Sequence, residues 1–204
     1  MLQGEYLMET RKKILFEAFK LFLSRGYRNV SLNDVVHTVG VTRGGFYHYF
    51  KSKDELYIEV INTYFFSLFD RYMEMLQPSR GSVKERLWSV FSEIYAVYDE
   101  MIALVGEENF RGITAILFSG LKRFDFILRR LKELYTEIVD ALERIIEEGK
   151  KRGELRREVD AHASAFGAIA LCEGTMILWI INLDGGRKVF PKRLFENYWR
   201  GIAA

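Results

Sequence analysis

From Phe124 to Ile145 apolar residues recur every three or four positions: Phe124, Ile127, Leu128, Leu131, Leu134, Tyr135, Ile138, Leu142 and Ile145. That spacing returns to one face of an α-helix at each turn and cannot stay on one face of a strand, where the period is two. It predicts a single amphipathic helix over residues 121–150, closed by Gly149 and Gly153. The same period runs along most of the chain, and 204 residues contain only two prolines to interrupt it. The expected fold is all-α, with about nine helices and no strand.

A first helix is expected over residues 10–25, with Ile14, Leu15, Ala18, Phe19, Leu21 and Phe22 on its apolar face and Gly26 to stop it. Ser31 and Asp34 form an S-x-x-D capping pattern that opens a second helix, and Gly40 breaks it. Thr42 caps a short third helix carrying Phe46, Tyr47 and Phe50. A further box, Ser52-Lys53-Asp54-Glu55, opens a long fourth helix with Leu56, Val60, Ile61, Tyr64, Leu68 and Tyr72, ended by Pro78, Ser79 and Gly81. Helices follow over residues 82–99, over 100–120 with glycines at 106, 112 and 120, over 121–150 and over 159–183. After the turn Asp184-Gly185-Gly186, a last helix starts at Pro191, a favoured first-turn residue.

The net charge of +2 hides an uneven distribution: residues 1–53 carry nine Lys/Arg against four Asp/Glu, and the remainder carries 21 against 24. A basic head on a mildly acidic body is what a chain shows when one end meets a phosphate backbone, although chance segregation of surface charge gives the same arithmetic. One cysteine cannot form an internal disulfide, and the histidines at 37, 48 and 162 fall in separate helices, so neither a metal site nor a cofactor is expected. Without a Ser/His/Asp, Cys/His or glycine-rich phosphate-loop arrangement, no catalytic residue is assigned and no enzyme is expected. The opening Met1-Leu2-Gln3-Gly4-Glu5 lacks the basic and apolar regions of a signal peptide. Ala163–Leu183 is long enough to span a membrane, but Glu173 at its middle and the small or polar Ser164, Gly167, Gly174, Thr175 and Asn182 argue against it. A cytoplasmic protein without a membrane partner is expected, its apolar helix buried in part by a subunit interface.

Residues 31–50 have a helix-turn-helix layout: a capped helix of two turns, a tight Gly40-Val41 turn, and a second short helix. The second helix would present Thr42, Arg43, Gly44, Tyr47 and His48 to a major groove, with Thr42 suited to a thymine methyl or a phosphate and Arg43 to guanine O6/N7. Glycine in a helix costs roughly 1 kcal/mol against alanine, a cost that makes sense where the backbone must come close to DNA. Tyr47, Tyr49 and Lys53 would anchor the frame on phosphates, and Ser31 would do the same at the start of the first helix of the pair. Spacing alone fits equally well a helical hairpin packing an aromatic cluster; the basic head favours DNA.

The stretch from Ser31 to Leu56, with its G-V-T turn followed by F-Y-H-Y-F-K-S-K-D-E-L, resembles the N-terminal DNA-binding domain of the tetracycline-repressor (TetR/AcrR) family. The resemblance covers residues 9–57. It implies a homodimeric, ligand-responsive transcriptional regulator, usually a repressor, whose DNA contacts fall on Ser31, Thr42, Arg43, Gly44, Tyr47, Tyr49 and Lys53. The family often has leucine where this chain has Phe46, and histidine at least as often as tyrosine at the place of Tyr49. The division it suggests is a helix-turn-helix domain over 1–53 and an effector-binding and dimerisation domain over 54–204. An effector-independent regulator of the same fold and a transcriptional activator are the alternative readings.

Thirteen aromatics fall between Tyr64 and Phe126, more than packing requires and enough to surround an apolar pocket. Phe65, Phe66 and Phe69 cannot all be equally buried on the helical face of Ile61 and Leu68, so a ligand space beside the fourth helix is expected. The candidates for it are Tyr64, Phe65, Phe69, Trp88, Phe91, Tyr95, Tyr98, Phe118 and Phe124, with Tyr95 and Tyr98 for polar contacts, and the expected effector is hydrophobic or amphipathic. Glu173 is either a paired interface charge or an effector contact, and Cys172 a small buried hydrophobe. Gly167, Ala170 and Gly174 permit close helix approach, while Ile177, Ile181, Phe195 and Trp199 provide apolar area. The resemblance implies that these last two helices form a four-helix bundle with a second copy.

Overall fold

The computed structural model describes residues 2–75, 81–181 and 190–204. The helices are α1 (Leu2–Arg25), α2 (Leu32–Val39), α3 (Arg43–Tyr47), α4 (Lys53–Ile61), α5 (Ser67–Met75), α6 (Val83–Val105), α7 (Glu107–Phe110), α8 (Ile113–Arg123), α9 (Asp125–Arg152), α10 (Ala161–Ile180) and α11 (Phe190–Ile202). A π-helical segment, Asn62–Phe66, joins α4 to α5 without a break. Counting that run as one helix and α7 as a single turn, the described residues contain nine helices. The sole pairing of extended backbone among them is an isolated bridge between Leu155 and Ala203. The expected stops at Pro78-Ser79 and Asp184-Gly185-Gly186 lie outside the described residues.

Several local signals act as capping chemistry predicts, whereas the helix expected over 121–150 is interrupted at the extended Phe124 (φ −127°, ψ 103°) and Gly149 lies inside α9 rather than closing it. Gly26 ends α1 at φ 74°, its N–H donating to the Phe22 carbonyl at 2.9 Å. Ser31 Oγ accepts from the Asp34 N–H at 3.2 Å while the Asp34 carboxylate accepts from the Ser31 N–H at 2.7 Å, completing the reciprocal box. Gly40 takes the left-handed conformation, φ 78° and ψ 32°, that glycine adopts without strain. Ser52 Oγ accepts from the Glu55 N–H at 3.1 Å, and Glu55 in turn accepts from the Lys51 N–H at 2.5 Å. The first helix begins well before Thr10, because residues 2–9 contain no proline and one glycine to stop it.

One packing expectation is overturned. Phe65, Phe66 and Phe69 are all buried, at 5%, 2% and 2% exposure. The π-helical turn at Asn62–Phe66 accounts for Phe65 and Phe66: its extra residue shifts the helical register so that both neighbouring rings face inward.

The chain forms two compact units. The first comprises the residues up to Leu68 together with Met101–Arg129. Here α1 packs against α2, α4, α7 and α8 around Ile14, Phe19 and Phe22. The Tyr57 ring lies 5.2 Å from Phe22, 4.7 Å from Tyr27 and 5.4 Å from Phe124, and its hydroxyl donates to the Ile116 carbonyl. The second unit comprises Phe69–Glu100 and Arg130–Ala204. Its core joins Leu87 and Phe91 of α6 to Phe195 of α11, the two phenylalanine rings 5.1 Å apart. The helix Ala161–Ile180 is, by length and composition, apolar enough to cross a membrane, and it buries Ala165, Ala168, Ile169, Cys172 and Met176 in the second unit.

Candidate functional site

Thr42 Oγ1 accepts from the Gly45 N–H at 3.0 Å and thereby starts α3. Phe46 is fully buried and fixes one side of this short helix, with Phe50 behind it at 5.7 Å between rings. The other side is open: Thr42, Arg43, Gly44, Tyr47 and His48 are exposed. Tyr47 is the most telling, a large ring left 54% exposed. Arg43 Nε donates to Asn33 Oδ1 on α2 at 2.9 Å, which leaves its two terminal amino groups for a ligand. A Cβ built on Gly44 would meet nothing closer than Thr42 Oγ1 at 3.9 Å, so nothing in the chain's own packing demands glycine there.

The expected phosphate anchors are differently engaged. Ser31 is exposed, yet its hydroxyl donates to Asp34 Oδ2 at 2.5 Å, and this bonding holds the Asp34 carboxyl below its ordinary range. Tyr49 is half-buried beside the His48 ring at 5.0 Å. Lys53 Nζ donates to the carbonyls of Tyr27 and Val30 at 3.0 and 2.8 Å and lies 4.1 Å from the centroid of the Tyr27 ring. Two of its three donors thus hold the turn before α2 and one remains. Partial burial lowers the Lys53 pKa, with the Asp54 charge opposing.

Asp54 accepts from the Tyr27 hydroxyl and from Arg123 at 3.0 and 3.3 Å. Burial and the bond to Asp54 push the Tyr27 phenol up to about 12, while the Tyr27 bond, aided by Arg123, pulls the Asp54 carboxyl down. This cluster joins residues far apart in sequence and carries no local signal. Asn33 was also missed; its one clue is its place on the second helix, ten positions before Arg43.

In the second unit, three helices bring phenols to one carboxylate. The Tyr98 hydroxyl of α6 donates to Glu173 Oε1 of α10 at 2.7 Å, and Tyr135 of α9 reaches the same carboxylate. Burial raises the Glu173 pKa, with the Tyr98 and Tyr135 phenols pulling the other way. Tyr95 adds a third phenol whose buried hydroxyl has no hydrogen-bond partner, its ring 5.2 Å from Trp179. Burial pushes the neighbouring Cys172 thiol up to about 12, leaving it a small buried hydrophobe at neutral pH. His162 pairs instead with Glu143, Nδ1 to Oε2 at 2.9 Å.

The remaining pocket candidates separate. Trp88 and Phe91 pack on Phe195 at 5.2 and 5.1 Å and serve the core of the second unit. In the first unit, Phe124 stacks near Tyr57, Phe118 stands 64% exposed, and Tyr64 stacks on Phe19 at 4.7 Å. Tyr64 also lines an open cleft of about 600 Å³ between α1 and the turn after α2, with Lys12, Lys13, Phe16 and Val41. Lys13, one of the lining residues, donates to the Val39 carbonyl at 3.0 Å, a cation at a helix C-terminus.

Of the residues expected at a dimer surface, Ile177 and Ile181 are 49% and 64% exposed, and neither Gly167 nor Gly174 would bring a Cβ within 4 Å of another group. Ala170 is exposed and Trp199 half-buried. Phe166, 64% exposed one position before Gly167, extends the apolar face, whereas Phe195 is 1% exposed and spends its area inside the unit.

Residues 14–60 match the family described as bacterial regulatory proteins of the tetR family, and residues 122–184 match a tetracyclin repressor-like C-terminal domain. The transcriptional repressor KstR2 of Mycolicibacterium smegmatis is 28% identical over 153 residues, covering 74% of this chain and 69% of that protein. The transcriptional regulator TtgR of Pseudomonas putida is 26% identical over 191 residues, 88% of this chain and 84% of that one. The crystal structure of NalD, the secondary repressor of the MexAB-OprM multidrug efflux pump in Pseudomonas aeruginosa, shares the fold with a TM-score of 0.72 at 21% identity, over 97% of this chain and 98% of that one. Two family matches that together take in more than half of the chain, on a fold shared along nearly its whole length, make this protein a member of the TetR family of DNA-binding, ligand-responsive transcriptional regulators.

Proposed function

We propose that the protein is a repressor that binds a palindromic operator as a homodimer and leaves it when a hydrophobic or amphipathic small molecule binds. The observation that carries the DNA-reading part is the surface of α3. Arg43 is tethered by Asn33 with its terminal amino groups unspent, next to a glycine whose Cβ space is empty. A duplex is the partner that uses both features: Arg43 donates to guanine O6/N7 while Gly44 lets a sugar or phosphate approach. On this reading Thr42, Tyr47, His48, Tyr49, Lys53 and Ser31 supply the remaining DNA contacts. The exposed apolar face of α10, with Phe166, Ile177 and Ile181 around Gly167 and Gly174, supports self-association. Repression is supported by similarity to the transcriptional repressor KstR2.

In such a dimer two recognition helices meet successive major grooves about 34–36 Å apart or somewhat more. An effector switches the protein only if it binds more tightly to a spacing that fits DNA poorly. The test is to select duplexes from a random pool with the full chain and then read the recovered sequence. A palindrome bound by two protomers and released by an apolar ligand supports the reading. Recovery of no preferred sequence, or of a single half-site bound by one protomer, contradicts it.

A further inference from the structure

Glu173 is a carboxylate without a counter-charge: among the described residues it forms no ion pair, and the groups that meet it are Tyr98 and Tyr135. An ionised carboxylate offers about four lone-pair sites, so two phenols leave part of it unused. Tyr95, one turn before Tyr98 on α6, is 5% exposed, and its buried hydroxyl is unpartnered although Cys172 and Thr175 lie nearby. The Thr175 hydroxyl donates to the Leu171 carbonyl at 2.6 Å, so it has no proton left to offer Tyr95. An orphaned buried hydroxyl and a partly buried carboxylate without a counter-charge are both costly, and one external group relieves both.

The surroundings select the charge of that group. Aromatic faces attract cations, and here Tyr95 lies 5.2 Å from Trp179 and 6.5 Å from Tyr98 between ring centroids. An anion would meet a carboxylate with no cation beside it. A metal ion is a poor fit, since no group of three or more His, Cys, Asp or Glu side chains suited to a metal occurs among the described residues. Glu173, Tyr135 and Trp179 each keep part of their surface exposed in one protomer, which is the side from which a ligand would approach. Resting on the reading of this protein as effector-controlled, we infer that Tyr95, Tyr98, Tyr135 and Glu173 form a recognition site for an organic cation, a protonated amine or quaternary centre on an apolar skeleton.

The test uses the full chain with tetraphenylphosphonium and tetraphenylborate, ions of similar size and shape and opposite charge, followed by calorimetry. The phosphonium is expected to bind at least about tenfold more tightly than the borate, and Glu173→Gln to lose at least about tenfold of the phosphonium affinity. A measurement on the unaltered protein covers the case in which that variant does not fold. Phosphonium affinity should fall as the pH is lowered and Glu173 is protonated, with Tyr95 and Tyr98 on α6, Tyr135 on α9 and Cys172 on α10 protonated throughout. Equal affinities for the two ions, or a phosphonium affinity indifferent to both Glu173→Gln and pH, overturn the inference. Neutral triphenylphosphine oxide binding as tightly as the phosphonium and releasing the operator overturns the cation claim alone. An operator complex indifferent to every ligand, with no binding of any of the three, removes the effector-controlled reading along with it.

Discussion

Asn33 on α2 holds Arg43 on α3 through one hydrogen bond, Nε to Oδ1 at 2.9 Å. The bond crosses the turn of the helix-turn-helix and constrains a long side chain whose free rotamers would otherwise have to be frozen on DNA. Arg43→Ala should relax preference at one operator position at a cost of about 1–3 kcal/mol. Asn33→Ala should weaken discrimination at that same position by less, leaving affinity for random duplex nearly unchanged. Competition titrations with single-base operator variants read both; equal losses on specific and random DNA would remove the base-reading role.

Lys53 serves the fold as well as the surface. Because it bonds two backbone carbonyls and faces the Tyr27 ring, Lys53→Met should lower stability in urea by about 1–3 kcal/mol, as loss of charged hydrogen bonds does. It should also make the salt dependence of DNA binding shallower. A variant with unchanged stability would show that these contacts contribute nothing net.

Two glycines should respond in opposite ways. A Cβ on Gly112 would overlap the Leu23 carbonyl oxygen and lie 2.8 Å from its carbon, so Gly112→Ala should cost about 1–3 kcal/mol in denaturant unfolding. A Cβ on Gly167 meets nothing within 4 Å, so Gly167→Ala should fold normally. Its effect should appear as weaker self-association in sedimentation, where a helix of a second copy packs against α10. An unchanged association constant would place the interface elsewhere.

Stability should also depend on pH through Glu173. Burial raises its pKa in the folded chain above the ordinary value it has when unfolded. Between those values the folded chain holds more protons, so this group's contribution to stability falls as pH rises and is fully unfavourable above the folded pKa. Glu173→Gln removes the dependence: the stability of the variant relative to the parent should increase from pH 4.5 to pH 8, a range in sight of the ordinary value of 4.5. Urea titrations at the two ends check the sign; a constant difference would mean that Glu173 does not titrate in this window.

Capping was legible because it is local. Ser31 with Asp34, Thr42 with Gly45, Ser52 with Glu55, and the left-handed Gly40 each act within four residues, and each behaves as its sequence pattern implies. Contacts between distant residues left no such trace. Nothing near Tyr27 announces Asp54 or Arg123, and Tyr135 occupies the apolar stripe of α9 as any core aromatic would. The same limit misdirected Phe195: periodicity identifies an apolar face without saying whether it turns to the protomer's own core or to another chain. The π-helical turn was equally hidden, since no glycine, proline or other breaker residue marks Asn62–Phe66.

The most direct test of the central claim is a fluorescence anisotropy titration of the full chain against its selected duplex and a scrambled duplex at the same salt concentration. Two protomers per selected duplex, and a preference of at least about a thousandfold over the scrambled one, are the predicted result. Equal affinity for the two duplexes, with loss of both in parallel as salt is raised, would contradict it.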